Sequence, residues 1–215
     1  MSNYLSWNKK IINDFSEKNV NDMYEHGYVF TRVGKGIMNQ TRSVRINLND
    51  FELSSENRRV LRKTEDVKME IIKLPHPDYD WRIHKLGHDY YSAKFGEKTF
   101  SANKIKELLT EESNFNLLLK YSINEKIVGY CICYAGADCL HYTYPFYDLE
   151  ANIANLGIGM MTKAIVWAKE NGKKFVCLGS AKDSAAIYKT QFNGFEWFDK
   201  KNWQTDIDEL KNVLK

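Results

Sequence analysis

Residues 156–169 place apolar side chains at 156, 160, 161, 164, 165 and 168, the spacing of an amphipathic helix. Asn171-Gly172 closes the run, because glycine adopts the left-handed conformation at a helix end without a steric penalty. An apolar strand, residues 175–178, follows at once. Upstream, residues 117–123 and 127–134 flank Asn124-Glu125-Lys126 and read as a hairpin, with a further strand over 139–144. Downstream come a helix over 184–191 and a closing strand over 195–198. A helix stripe framed by strands has to be buried on a sheet. This order therefore limits the last hundred residues to an α+β domain on a central mixed sheet flanked by helices.

The first half is read the same way. Ile11, Ile12, Phe15, Val20 and Met23 have helical spacing, which predicts a helix over 11–23. Strands are expected over 28–33 and 43–48, either side of a Gly34-Lys35-Gly36 turn. Ser54-Ser55-Glu56 resembles a capped start for a basic helix running to Lys63. A strand over 67–74 breaks at Pro75-His76-Pro77, and helices follow over 81–94 and 103–109. The expected division is residues 1–65, a small α/β module carrying the basic helix, and residues 66–215, the catalytic domain.

Composition narrows the function classes. With 215 residues and 43% hydrophobic content, the chain can bury a core without disulfide or metal staples. No stretch approaches about 18 consecutive apolar residues, and the start lacks a signal-peptide pattern, so the expectation is a cytoplasmic protein with no membrane partner. A net charge of +3 permits a polyanionic partner without demanding one. Cys131, Cys133, Cys139 and Cys177 form no C-x-x-C pair and are read as buried reduced thiols. His84 and His88 are four apart on one helix face with no third ligand, so no metal site is expected.

Three features can carry chemistry. Asn155-Leu156-Gly157-Ile158-Gly159 stands at a strand-to-helix junction. Its small residues serve either a tight packing turn or the approach of backbone N–H groups to an anion. Arg58, Arg59, Arg62 and Lys63 put cations three and four apart on a helix, suited to phosphates or simply to solvent. Tyr142, Tyr144 and Tyr147 can stack on a base or pack in the sheet, and Asp148 can hold an amine or cap a loop.

Ala154 to Gly159, taken with Ala185 to Glu196, resembles the Gcn5-related N-acetyltransferase (GNAT) superfamily. That resemblance implies a GNAT-like acyltransferase fold with a mixed, mostly antiparallel sheet. It also makes Tyr188 the candidate proton donor to the leaving group, a task that suits a neutral phenol. Ala154 stands where that pattern has Arg or Gln, and one extra residue precedes Gly194.

A wider resemblance runs through roughly residues 22–198. Glu25-His26-Gly27-Tyr28, Met38-Asn39-Gln40-Thr41 and Phe51 through Arg58-Arg59-Val60-Leu61-Arg62-Lys63 follow in order. Tyr144-Pro145-Phe146-Tyr147-Asp148, Asn155-Leu156-Gly157, Leu178-Gly179 and Tyr188-Lys189 complete it. Together they resemble the N-end-rule aminoacyl-tRNA–protein transferases. The resemblance implies transfer of an aminoacyl group from aminoacyl-tRNA to the α-amine of a protein or peptide, with an acidic or oxidised N-terminal residue as acceptor. It needs no cofactor beyond the charged tRNA. It implies catalytic roles for Tyr188 and Asp148, and substrate contacts by Tyr144, Tyr147, Leu156, Gly157, Gly159, Gly179 and Lys189. It implies tRNA contacts by Arg58, Arg59, Arg62, Lys63, Asn39 and Gln40. Arg42 and Ser43 replace that family's cysteines, so its cysteine-bound metal or cluster is not carried over. The alternatives are an N-acyltransferase that uses acetyl-CoA, and a silent module that binds tRNA or peptide.

Overall fold

A computed structural model describes residues 5–215. In chain order its elements are β1 (Asn8–Ile11), α1 (Glu17–Glu25), β2 (Tyr28–Phe30), β3 (Ile37–Gln40), β4 (Ser43–Asn47) and α2 (Ser55–Lys63). Next come β5 (Lys68–Lys73), α3 (Trp81–Phe95), α4 (Ala102–Thr110), β6 (Leu117–Ile123), β7 (Lys126–Ala135) and β8 (Cys139–Tyr147). The chain ends with α5 (Leu156–Glu170), β9 (Phe175–Ser180), a 3₁₀ helix (Ser184–Gln191), β10 (Phe195–Phe198), β11 (Trp203–Gln204) and α6 (Ile207–Val213). The class is the expected one, α+β with a mostly antiparallel sheet and flanking helices.

The expected helix over 11–23 is corrected. Ile11 lies in β1 opposite Ile37, and the helix begins only at Glu17. Local hydrogen bonds set that start. Asp14 Oδ1 accepts from the Ser16 amide at 2.8 Å, and Ser16 Oγ accepts from the Asn19 amide, capping α1. The region 184–191 is a 3₁₀ helix, with three residues per turn, opened by Asp183, whose Oδ1 accepts from the Ala185 amide at 3.0 Å.

The chain forms two compact units. The first takes residues up to 55, 136–141 and 167–215. It holds the small antiparallel sheet β1-β3-β2 and the strand run β11-β10-β4-β9 ending on the start of β8. Cys139, Leu140 and His141 of β8 pair in parallel with Phe175, Val176 and Cys177 of β9. Its core includes Val44, Ile46, Val176, Phe195, Trp197 and Phe198.

The second unit takes residues 56–135 and 142–166. Its strands run from the rest of β8 through β7 and β6 to β5. Leu118, Leu119, Ile132, Ile105 and Phe146 are fully buried there, each worth about 1.5–3 kcal/mol over an exposed position. Tyr121 is buried too, and its hydroxyl donates to the Met160 carbonyl at 3.0 Å. On the part of α5 in this unit, Met160, Met161, Thr162, Ala164 and Ile165 are all buried, a wider face than a simple amphipathic stripe.

All four cysteines are free and buried. Cys131 and Cys133 lie in the second unit with sulfurs 3.5 Å apart, and Cys139 and Cys177 lie in the first. Burial, then contact with Cys133, pushes the Cys131 thiol up; a hydrogen bond with Cys139, then burial, does the same for Cys177.

Candidate functional site

In the first unit the chemistry gathers where β9 departs from regular pairing. Ser43 pairs with Ser180 and Arg45 with Cys177, so Val44 alone faces Leu178 and Gly179. That extra residue is a β-bulge. Gly179 has φ +75, which an L side chain adopts only at a cost of about 1–2 kcal/mol. A bulge leaves carbonyls outside the ladder, and Lys189 takes two of them. Its Nζ donates to Leu178 O at 2.7 Å and to Ser180 O at 2.9 Å. Loss of water around this half-buried ammonium lowers its pKa to about 8, against a smaller upward pull from Asp183. At neutral pH it is mostly charged, yet close to losing its proton.

Neighbouring groups suit such a cation. The Thr41 and Ser180 hydroxyls are 2.8 Å apart. His141 is buried, and its Nδ1 lies 3.0 Å from the Tyr24 hydroxyl. Burial, then the charge of Lys189, pulls the His141 pKa down to about 3, so the ring is neutral at working pH. Tyr188 is 45% exposed, and the Lys189 ammonium lies 6.0 Å from its ring centre. The 3₁₀ repeat aligns Tyr188 with Ala185 and Gln191, and Lys189 with Ala186 and Phe192. One side chain of the pair is therefore presented to solvent while the next braces the bulge.

Asn39 and Gln40 lie in β3. Gln40 donates through Nε2 to His26 O at 2.9 Å, and its carbonyl accepts from the Trp7 amide at 2.8 Å. Asn39 faces Lys9 across the β1–β3 ladder.

In the second unit the glycines of α5 have a packing cause. A Cβ on Gly157 would lie 2.9 Å from the Tyr147 ring, and one on Gly159 would lie 2.6 Å from the Thr64 side chain. Small residues here let those two side chains lie directly on the helix start. Leu156 is buried beside them. Tyr147 also meets Tyr90 at 4.8 Å between ring centres, Tyr144 packs edge-on to Phe100 and Phe115, and Tyr142 is 2% exposed. All three tyrosines thus have packing partners or full burial. Asp148 Oδ1 accepts from the Glu150 amide at 2.9 Å, and Oδ2 lies 3.8 Å from Lys126 Nζ, so this carboxylate turns the loop after β8.

Helix α2 buries Asn57 and Val60 and exposes Arg58, Arg59, Arg62 and Lys63, with Thr64 buried in the turn just after it. Arg59 is engaged by Glu56 through Nε at 2.6 Å. Sequence reasoning missed the His141–Tyr24 pair and the anchoring role of Lys189, because each joins segments far apart in the chain. The Leu178-Gly179 and Tyr188-Lys189 pairs were the available signal.

A family model described as "Arginine-tRNA-protein transferase, C terminus" matches residues 82–199. That span contains Asp148, Gly157, Gly159, Gly179, Tyr188 and Lys189. An aspartate/glutamate leucyltransferase of Helicobacter hepaticus is 25% identical over 211 residues, covering 90% of this chain and 86% of that one. The protein of the same description from Saccharophagus degradans is 22% identical over 198 residues, covering 84% and 80%. Among solved structures, the C-terminal domain of an Agrobacterium fabrum protein described as a lysylphosphatidylglycerol synthetase superposes with a TM-score of 0.51 at 15% identity. It covers 66% of this chain and 46% of that one, a likeness of fold alone.

Proposed function

Because the chain belongs to the arginine-tRNA-protein transferase family and is an aminoacyltransferase, we propose that it joins leucine from leucyl-tRNA to proteins or peptides that begin with aspartate or glutamate. The family match over 82–199 carries this reading, and the likeness to the two aspartate/glutamate leucyltransferases supports the choice of donor and acceptor. The acceptor α-amine attacks the ester carbonyl of the charged tRNA. A C–N bond forms, the C–O bond to the ribose breaks, and the amine's proton ends on the released ribose hydroxyl. The ester is already activated, so positioning and stabilisation of the transient oxyanion dominate the barrier.

In this reading Tyr188 supplies a proton to the leaving ribose oxygen, and the charge of Lys189 favours the oxyanion. Asp148 holds the acceptor amine. Tyr144, Tyr147, Leu156, Gly157, Gly159 and Gly179 shape the substrate sites. The cations of α2, with Asn39 and Gln40, meet the tRNA phosphates. The charged tRNA is the sole donor, and the reaction belongs in the cytoplasm, where charged tRNA is made.

The test incubates the full chain with a peptide starting in glutamate, leucyl-tRNA and acetyl-CoA. A mass gain of one leucine residue, abolished by ribonuclease, is the expected result. An acetyl gain instead, or no gain on any acidic N-terminus, overturns the reading. Replacing Arg58, Arg59 and Arg62 by Ala weakens tRNA binding and flattens its salt dependence by about 0.9 per lost phosphate contact. Unchanged filter binding removes α2 from the tRNA surface.

A further inference from the structure

A second cationic surface lies on the first unit, built differently from α2. Trp7 is half-buried at the entrance to β1, anchored through its amide to Gln40 O at 2.8 Å. Two cations approach its indole: the Arg42 guanidinium at 5.9 Å from the ring centre and the Lys200 ammonium at 5.4 Å. Lys9 lies two residues on from Trp7, in β1, with Asn39 directly opposite it.

Lys200 reaches this position through an unfavourable backbone. Its φ is +102, although it carries a full side chain. The hairpin between β10 and β11 imposes this. Asp199 Oδ1 accepts from the amides of Lys201 and Asn202, each at 2.8 Å, and Gln204 Nε2 donates to Oδ2 at 2.7 Å. Arg42 is held from behind by donation of Nη1 to Ala181 O at 3.1 Å, and burial lowers its pKa. Among the described residues, Arg42, Lys200 and Lys9 form no ion pair with a carboxylate, whereas Arg59, Arg82, Lys85 and Lys120 all do.

We infer that Trp7, Arg42 and Lys200 form a stacking platform for an unpaired nucleotide, with Lys9 extending its phosphate-binding edge. Resting on the function proposed above, the occupant is the single-stranded 3′ end of the charged tRNA. An indole edged by cations that no carboxylate neutralises among the described residues is a combination that suits single-stranded nucleic acid, since a base stacks and the adjoining phosphates are neutralised. An acidic peptide would use the cations and leave the indole face without a flat partner. Helix α2 has cations and no aromatic face, which suits duplex phosphates.

The experiment measures binding of the full chain to two RNA probes, a short single strand ending in CCA and a blunt duplex. Trp7→Ala weakens the single strand about ten-fold or more and leaves the duplex unchanged, while Trp7→Phe keeps most of the affinity. Arg42→Ala and Lys200→Ala each reduce the salt slope for the single strand by about 0.7. Unchanged single-strand affinity in Trp7→Ala with an unaltered melting curve overturns the platform, and so does equal loss on the duplex. If Trp7→Ala lowers the melting temperature, Trp7→Phe and Lys200→Ala decide. Leucyl transfer by the unaltered chain is measured alongside. Absence of transfer with Trp7-dependent RNA binding fails the proposed activity and keeps the platform. Normal transfer with an unaltered KM for tRNA in Trp7→Ala fails the platform alone.

Discussion

Arg45 and Lys189 both carry a positive charge into the first unit, and the unit surrounds them in opposite ways. Arg45 is 7% exposed in the middle of β4. Its Nε donates to Glu196 at 2.6 Å and its Nη1 to Glu25 at 3.0 Å. Its guanidinium lies 3.8 Å from the ring centre of Phe175 and 3.9 Å from that of Trp203. Two carboxylates and two aromatic faces leave that charge nothing further to do, and the arrangement fixes β4 against its neighbours. Lys189 meets carbonyl oxygens in place of carboxylates, and loss of water around it lowers its pKa to about 8. A fully paired cation is a structural part. One solvated only by dipoles keeps a field and a movable proton, the condition a reacting site needs.

The sharpest way to break this contrast is to remove Arg45. Arg45→Ala strands Glu196 in a poorly hydrated site and lowers unfolding free energy by about 3–5 kcal/mol in urea titration. Arg45→Lys recovers only part of this, because an ammonium cannot make the fork or the stack. A loss below about 1 kcal/mol would put the two cations in the same category.

Lys189→Met carries the next effect, and on catalysis. Leucyl transfer falls by about 10²-fold, the scale for loss of a preorganised electrostatic group. Raising the pH through about 8 removes the same charge, so kcat/KM of the unaltered chain declines above that value. A rise there would make the free amine a base instead. Stability runs the other way. The folded pKa lies below the ordinary 10.5, so the unfolded chain binds more protons between about 8 and 10.5. Folding therefore strengthens with pH across that window, and Lys189→Met abolishes the trend.

His141 gives a smaller effect at the acid end. Its folded pKa of about 3 lies below the ordinary 6.5, so the unfolded chain takes up a proton first as pH falls. Moving from pH 7 to pH 5 costs about 2 kcal/mol through this group, and His141→Gln flattens that slope in thermal melts. Gly179→Ala is the mildest change, about 1–2 kcal/mol from the positive φ. If its transfer rate falls further than its stability, the bulge positions Lys189 for the reaction.

Much of the second unit was legible in the sequence. The hairpin β6–β7 and helix α3 show their periods within one stretch of chain, and caps such as Asp80 mark their starts. The first unit hid its small strands. All four residues of β1 are exposed, so Ile11 could be mistaken for part of a helix stripe. β11 and α6 are too short to display a period. At the site, Lys189 and Gly179 were visible as a pattern, but the two carbonyls that Lys189 binds were not. Gly157 and Gly159 were visible as small residues, yet Tyr147 and Thr64 explain the need for smallness, and Thr64 comes from a distant turn. Trp7 offered no signal alone, since Arg42 and Lys200 reach it from separate parts of the chain.

The buried thiols give each unit its own clock. Cys131 and Cys133 belong to the second unit, Cys139 and Cys177 to the first, and none is accessible to a reagent while its unit stays closed. An alkylating agent added in excess therefore marks a sulfur only when the surrounding structure opens. Mass spectrometry that locates the label at each cysteine then reads two opening rates from one sample, so leucyl-tRNA can be asked which unit it quiets first.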